Sequence, residues 1–450
     1  MLHTTSILKI STLLFLLEVS LFSVEFIAKD AQSTGEKDST WIALPYLFSS
    51  DSMGLTTGAV GIFNGFIQPQ MTIVASAFIG EEVPVKKLSI TGSTSDEMAR
   101  SKGFFLGVSG YRPSFSKRMF LTFLGLYAYY PNQRIYLDGS NDSVQNLTPT
   151  PGGTTPELTP IQTQGYNNWA DVDFRFVLPL GEGKDTITPV IKLSRGLAVN
   201  RDGKGNGAPF VTGQTILGVK YFYNHLTADK FTNEPSLNTN GIKLYLEHDN
   251  TDYPDNPSRG YSMRFKVSAD FGWLDSSQSW NALDFDYSHY FELPNFSWTR
   301  QNVIALNAWT AYSPSWEKGT RSPDNNYLDK NRPPMWEGAK LGGYDRLRAY
   351  DLNRFSDKAA IYGAIEYRLI PEFNPMHNQE WSPIPIDWFQ AVLFAEVGRV
   401  APEYDLRLLD DMKYDAGFSF RALAARMPVR FDMAFGSEGS SMWVMIKQPF

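Results

Sequence analysis

The 450-residue sequence has no cysteine and only five histidines, at positions 3, 225, 248, 289 and 377. Without a thiolate there can be no disulfide, thiol nucleophile, cysteine-ligated zinc, iron–sulfur cluster or cysteine-anchored lipid. The scattered histidines form no metal or relay motif. Asp249, Asp252 and Asp255 are close enough together to recruit calcium. Asp252 and Asp255 fall in DYPDNP, however, whose Asp, Asn and Pro are turn formers in their own right, and the turn reading is preferred. His289 could serve a hydrolase only beside a serine or a carboxylate. Its companions at spacing two, Leu283, Phe285 and Tyr287, are apolar, which favours an interfacial ring instead. No Gly-x-Ser-x-Gly elbow occurs. The expectation is therefore no enzyme, no cofactor and no metal site. With 41 basic and 48 acidic residues, no nucleic-acid surface is expected either.

The elements that would position such residues read as strands. The chain holds 31 Phe, 22 Tyr and 11 Trp beside 35 Gly and 27 Pro, a mixture that favours many strands with turns between them. At the start, Lys9 precedes an apolar run from Ile10 to Phe26 and a polar stretch follows, which reads as an export signal over residues 1–28 cleaved near Ala28 or Ala31. Glu18 and the short length disfavour a single anchoring helix. Beyond it no apolar run reaches ~18 residues, so a helical membrane protein is excluded. In Gly260 to Phe271, Tyr261, Met263, Phe265, Val267, Ala269 and Phe271 alternate with Ser262, Arg264, Lys266, Ser268 and Asp270. Around residue 420, Asp415, Ser419 and Arg421 oppose Tyr414, Phe418 and Phe420; later, Arg430 and Asp432 oppose Val429, Phe431, Met433 and Phe435. Such period-2 segments, ~10 residues long, suit tilted strands crossing a bilayer.

Sixteen segments follow this pattern: 54–63, 69–80, 103–112, 118–130, 168–178, 186–196, 211–224, 240–249, 260–271, 280–291, 300–311, 359–369, 387–398, 413–422, 428–436 and 441–450. In lipid every backbone polar group must be satisfied within the protein, so strands with an apolar outer face must close into a barrel. The expected fold is all-β, a transmembrane antiparallel β-barrel of about 16 strands, with a leader over residues 29–48 and the barrel over 49–450. Phe450 ends the last expected strand, as an assembly signal would. Trp280, Phe291, Trp298, Trp309, Trp388 and Trp443 lie near strand ends and read as an aromatic girdle. Tyr312 to Lys358 becomes a sixth surface loop of 47 residues, a length that points to function. Parity places the low-complexity stretch Leu147 to Thr163 on the periplasmic side.

That loop carries LGGYDRLRAYDLNRF (Leu341 to Phe355), followed by a strand containing Glu366-Tyr367-Arg368. This resembles the BamA/TamA superfamily of outer-membrane barrels, the bacterial surface antigen family, whose sixth loop bears a Val-Arg-Gly-Phe/Tyr motif. Leu347, Arg348, Ala349 and Tyr350 occupy the motif, with Ala where the family has Gly. EHDNTDYPDNPSRG (Glu247 to Gly260) resembles the family's acidic turn, and Phe394-Ala395-Glu396-Val397-Gly398 its Phe-x-Asp-x-Gly strand, with Glu for Asp. Val429 to Gly436 resembles its penultimate strand, and Pro45 to Gly58 its entry into the first. The resemblance implies that the loop folds into the lumen and that Arg348 pairs with Glu396. Alternation within 387–398 independently turns Glu396 inward. The alternative is an Arg348 solvated like the other loop cations.

Residues 29–48 leave no room for the periplasmic POTRA modules that translocating members carry. The implied function is assisted insertion or transport of polypeptides or lipids at the bacterial outer membrane. Outer-membrane lipid, a polypeptide or lipid client and a periplasmic partner replacing POTRA domains are the implied partners. The alternative is a passive pore or surface receptor without insertase activity. The expected lateral seam pairs the first strand, with Gly54, Gly58, Gly61 and Gly65, against the last, with Pro449, which cannot donate a ladder hydrogen bond.

Overall fold

The computed structural model describes residues 27–30, 39–50, 53–88, 94–136, 161–200, 208, 210–227, 237–319, 329–376, 385–424 and 426–450. The expected signal core before residue 27 and most of Leu147 to Thr163 lie outside them. In chain order the strands are β1 (Ile27–Asp30), β2 (Thr40–Ser50), β3 (Gly54–Asn64), β4 (Thr72–Leu88), β5 (Thr94–Tyr111), β6 (Met119–Ile135), β7 (Ile161–Val177), β8 (Val190–Ser194), β9 (Leu197–Ala198), β10 (Gln214–Leu226) and β11 (Leu237–Asp249). They continue as β12 (Gly260–Asp270), β13 (Trp280–Leu293), β14 (Thr299–Tyr312), β15 (Ala339–Leu341), β16 (Phe355–Asp357), β17 (Ala359–Pro371), β18 (Ile386–Ala401), β19 (Lys413–Ala424), β20 (Met427–Gly436) and β21 (Gly439–Ile446).

Sixteen of these form one sheet in the order β2 to β7, β10 to β14 and β17 to β21, each antiparallel to the next in sequence. Such a meander needs only hairpin connections, and the period-2 pattern sets each register. In β12 and β13, for example, Phe265 pairs with Phe285 and Lys266 with Asp284, so apolar and charged residues lie on opposite faces. Phe265, Tyr414, Phe418 and Phe435 project outward and are exposed, while Asp415, Glu366, Arg421 and Arg430 face inward and are buried.

The inner face is not uniformly polar. Phe78, Phe105, Leu124 and Trp169 on β4 to β7 pack together inside, and charge concentrates on β7, β10 to β13 and β17 to β20. Trp280, Trp309, Trp388 and Trp443 also point inward and are buried, whereas Phe291 and Trp298 are exposed. Only the latter two fit a girdle, because strand parity places the other four on the lumen side.

The count of sixteen holds with one exchange. Thr40–Ser50 is a sheet strand, so the sheet begins before residue 49; Pro45 masked it in the sequence, but β2 is an edge and no outer neighbour needs the missing N–H. The expected strand 186–196 is not in the large sheet. Within it, β8 joins β1 and β9 in a separate three-stranded sheet. Shifting parity by one strand puts the β6–β7 connection at the same end as the long loop, opposite to the periplasmic side expected for Leu147 to Thr163. The last strand stops at Ile446 rather than Phe450. Lys447 there adopts a left-handed φ of 76°, and the following residues turn into the lumen, where Phe450 packs against Tyr290, Val303 and Ala305.

Candidate functional site

The long loop between β14 and β17 enters the barrel on a short stem, with Ala339–Leu341 paired to Phe355–Asp357. Gly342 (φ 101°) and Gly343 (φ 117°) reverse the chain above it, and a Cβ on Gly342 would stand 2.4 Å from the Asp351 carbonyl oxygen, too close for any larger residue. The Gly342 N–H donates to the Arg346 carbonyl (3.0 Å), and the Tyr350 N–H to that of Leu347 (3.0 Å), closing a tight turn around the motif. Leu347, not residue 349, takes the left-handed φ (54°), so Ala349 meets no backbone strain where the family has Gly. Its methyl group faces Gly436 of β20, where an added Cβ would stand 2.9 Å from that of Ala349.

Arg348 is fully buried. Its Nε donates to Glu396 Oε1 (3.1 Å), its backbone N–H to Glu396 Oε2 (2.7 Å) and its Nη2 to Glu366 Oε1 (2.9 Å), while Asp432 lies 3.6 Å from Nη1. The guanidinium also stacks over Phe394, 3.5 Å from the ring centre. Burial works against this charge, yet Glu396, Glu366 and Asp432 outweigh it and hold the pKa of Arg348 well above its ordinary value. Tyr362 donates to Glu396 (2.5 Å), fixing that carboxylate. Glu366 also accepts from Arg421 (2.8 Å) and Arg368 (2.8 Å), and Arg430 pairs with Asp432. Four buried arginines (348, 368, 421, 430) thus share one cluster with the buried carboxyl groups of Glu366, Glu396, Asp415 and Asp432.

The rest of the motif is held by the last strands. Ala349 N–H donates to Asp415 (2.7 Å), Ser441 to the Ala349 carbonyl (3.1 Å) and Trp443 Nε1 to the Arg348 carbonyl (2.7 Å). Tyr350 reaches the Tyr414 carbonyl (3.2 Å) and Ser437 (3.0 Å), and Leu347 is fully buried. The structure therefore brings Leu347, Arg348, Ala349, Tyr350 and Glu396 together. Sequence reasoning assigns no role in the lock to Glu366, Arg368, Arg421, Asp432 or Trp443. For the four charged residues a signal exists, since each occupies an inward position of β17, β19 or β20.

The other expected site residues lie apart. Gly54, Gly58 and Gly61 belong to β3, the second strand of the sheet, so they do not line the seam. Pro449 lies beyond β21. Phe450 does not extend that strand: its carbonyl accepts from Arg368 (3.2 Å) and its ring lies 5.1 Å from the Arg368 guanidinium. Among the described residues no backbone pairing joins β2 to β21, so the two outer edges of the sheet are unpaired with each other. Asp249 accepts from Thr251, and Asp252 from the Ser258 N–H and hydroxyl, which is turn chemistry. His289 sits on the outer face, stacked on Phe291 and bonded to Tyr287.

Comparison with known proteins gives no match among curated sequences. Among solved structures, the chain is similar to CdiB from Escherichia coli, with 12% identity and a TM-score of 0.51 over 90% of this chain and 60% of that one. BamA from Haemophilus ducreyi lacking POTRA domains 1–3 aligns at 11% identity and a TM-score of 0.47, over 92% of this chain and 70% of that one. CdiB from Acinetobacter baumannii gives 12% and 0.44, over 89% and 56%. The chain thus spans 56–70% of the length of these relatives, and the likeness concerns the fold. The profile of the Omp85 superfamily domain matches residues 201–440, more than half of the sequence and the part that holds the buried charge cluster, and the chain belongs to the Omp85 superfamily.

Proposed function

We propose that this protein sits in the bacterial outer membrane and assists the insertion or transport of polypeptides there, with the long loop at the cell surface. The observation that carries this reading is the open seam. Among the described residues, the outer edges of β2 and β21 have no partner strand, and such edges template added strands. β21 is only eight residues long, and the turn at Lys447 withdraws the following residues into the lumen, which keeps that edge short. An edge of this kind can receive an extended client beside the bilayer. Superfamily membership supports the same reading. Outer-membrane lipid is the natural solvent of the apolar outer face, and no enzymatic role is proposed.

The test uses cysteine pairs scanned between Thr40–Ser50 and Gly439–Ile446, in a chain with no native cysteine. Oxidation should abolish assisted insertion of a reporter barrel into liposomes while planar-bilayer conductance stays unchanged, and reduction should restore insertion. Insertion that survives a verified cross-link, or never exceeds the rate in empty liposomes, would leave the passive-pore reading in its place.

A further inference from the structure

The connection from β18 to β19 lies at the long-loop end and folds back over the outside of the wall. Its sequence, EYDLRLLDDMK over residues 403–413, sets three leucines and a tyrosine among charges. Asp405 accepts from the Arg407 N–H (2.9 Å) and starts a single short helical turn, Leu406–Leu409, which points successive leucines to different sides. Leu408 is buried on Ala359, Ala401, Tyr312 and Ile361. The hydroxyls of Tyr404 and Thr310 share a hydrogen bond (2.7 Å), and the Tyr404 ring meets that of Tyr312 edge-on at 6.1 Å. Thr310 and Tyr312 have the parity of the exposed Leu306 on β14, and Ile361 that of the exposed Ile365 on β17. All three therefore face away from the lumen, and the connection covers the outer wall.

Arg399 is a second fixed point. It has the parity of the exposed Leu393 and Val397 on β18, so it lies on the outer face, where lipid tails offer no acceptor. The connection brings acceptors to it: Arg399 donates to the carbonyls of Asp410 and Asp411, at 3.2 Å from the latter. The other charges close on one another, Lys358 with Glu403 (2.9 Å), Arg407 with Asp405 and Lys413 with Asp411 (3.8 Å). What the segment offers outward is apolar, with Leu406 80% and Leu409 63% exposed. Register gives its level. Thr310 pairs with Ile361, and Leu306 with Ile365. The two rows are four residues apart, roughly 13 Å along a strand and less for a tilted one. Leu306 and Ile365 belong in hydrocarbon whose half-thickness is about 15 Å, so the helical turn lies near the edge of that layer.

We propose that residues 404–409 are an interfacial anchor, whose Leu406 and Leu409 insert among the acyl chains of the bilayer leaflet on the long-loop side. The occupant is lipid because the segment lies on wall residues that themselves face lipid, and it continues that surface outward. It is the acyl region rather than a phosphate headgroup, because Lys358, Arg399, Arg407 and Lys413 already have carboxylate partners within the protein. An apolar side resting at the boundary, with a paired polar side toward water, is the arrangement of an element lying in the interface plane. Its attachment to β14 and β17 fixes the height of the two strands that carry the ends of the long loop. The proposal rests on the membrane reading above.

The experiment uses the full chain, which has no native cysteine. Leu406→Cys and Leu409→Cys are made singly, with Leu393→Cys on the outer face of β18 as the lipid reference and Glu82→Cys, exposed on β4, as the water reference. Each is labelled with a nitrobenzoxadiazole fluorophore and reconstituted in phosphatidylcholine vesicles; unchanged heat-modifiable gel mobility shows that it is folded. The quenchers are aqueous iodide on both sides, a lipid with a nitroxide near the glycerol end of its chain, and one with the nitroxide near the methyl end. The labels at 406 and 409 should be quenched several-fold more strongly by the glycerol-end nitroxide than by iodide, and the methyl-end nitroxide should act best at 393. Iodide quenching at 406 and 409 equal to that at 82, with 393 still reached from lipid, overturns the anchor and leaves the membrane reading. Iodide quenching at 393 as well overturns the membrane reading itself. Shielding of 406 and 409 from all three quenchers would mean that a second copy covers the leucines, and it overturns the anchor too.

Discussion

A single arginine and the carboxylates around it hold the long loop in the lumen. Arg348→Ala leaves Glu396 and Glu366 without one of their cationic partners in a water-poor site, a change worth about 3–5 kcal/mol. The expected result is faster proteolysis within residues 313–358 of the folded barrel. Exchanging the two charges, Arg348→Glu with Glu396→Arg, should not restore protection. The carboxylate introduced at position 348 would face Glu366 and Asp432, which flank Arg348 now. Restoration by the swap would mean that the Glu396 contact alone holds the loop. Ala349 and Gly436 form a second, steric pair. Gly436→Ala should destabilise the loop by about 1–3 kcal/mol through overpacking. Adding Ala349→Gly should recover part of that loss, because the Tyr350 ring remains 3.2 Å from the added Cβ. Additive effects in the same proteolysis assay would count against the contact.

Strands carry the division between outer and inner face, and substitutions should respect it. Phe265→Arg places a charge on the exposed face of β12, which costs ~2–4 kcal/mol near a bilayer midplane, and should prevent the heat-modifiable folded form. Ser262→Arg on the lumen side of the same strand should fold normally. Ser419 shares that inward parity but should not share the tolerance. It is buried and accepts from Arg421 Nε (3.0 Å), so an arginine there would crowd a cation already in place. Equal damage at Phe265 and Ser262 would argue against an apolar surrounding of β12.

At the scale of the whole molecule, the lumen is obstructed from both ends. The motif loop fills the side of β17 to β21, the β8–β9 hairpin crosses the opposite mouth, and between them a charged cavity of about 440 Å³ remains. Each obstruction has its own anchors, Arg348 for the loop and Trp388 with Arg300 for the hairpin. Replacing residues 343–353 by a glycine–serine linker should therefore raise planar-bilayer conductance only slightly. The same replacement combined with a short turn in place of residues 188–200 should raise it many-fold. A large conductance from the loop replacement alone would mean that the hairpin does not close the mouth.

The sequence alone determined the all-β class, fifteen of the sixteen wall strands and the inward direction of Glu396, Arg421 and Asp432, because a period of two is local and each strand reports its own faces. The motif around Arg348 was equally legible, since its residues are contiguous. What lay beyond reach were pairings between distant segments. Pro45 hid β2 because a proline is forbidden in a central strand but harmless at an edge, and only the strand order makes β2 an edge. Val190–Ser194 looks like any alternating strand; its partner Ile27–Asp30 lies far off in the chain, and nothing local distinguishes a wall strand from a cap. The network that gives Arg348 three carboxylates draws them from β17, β18 and β20. Alternation could point each of these side chains at the lumen, but only the curvature and register of the sheet brought them to the same guanidinium.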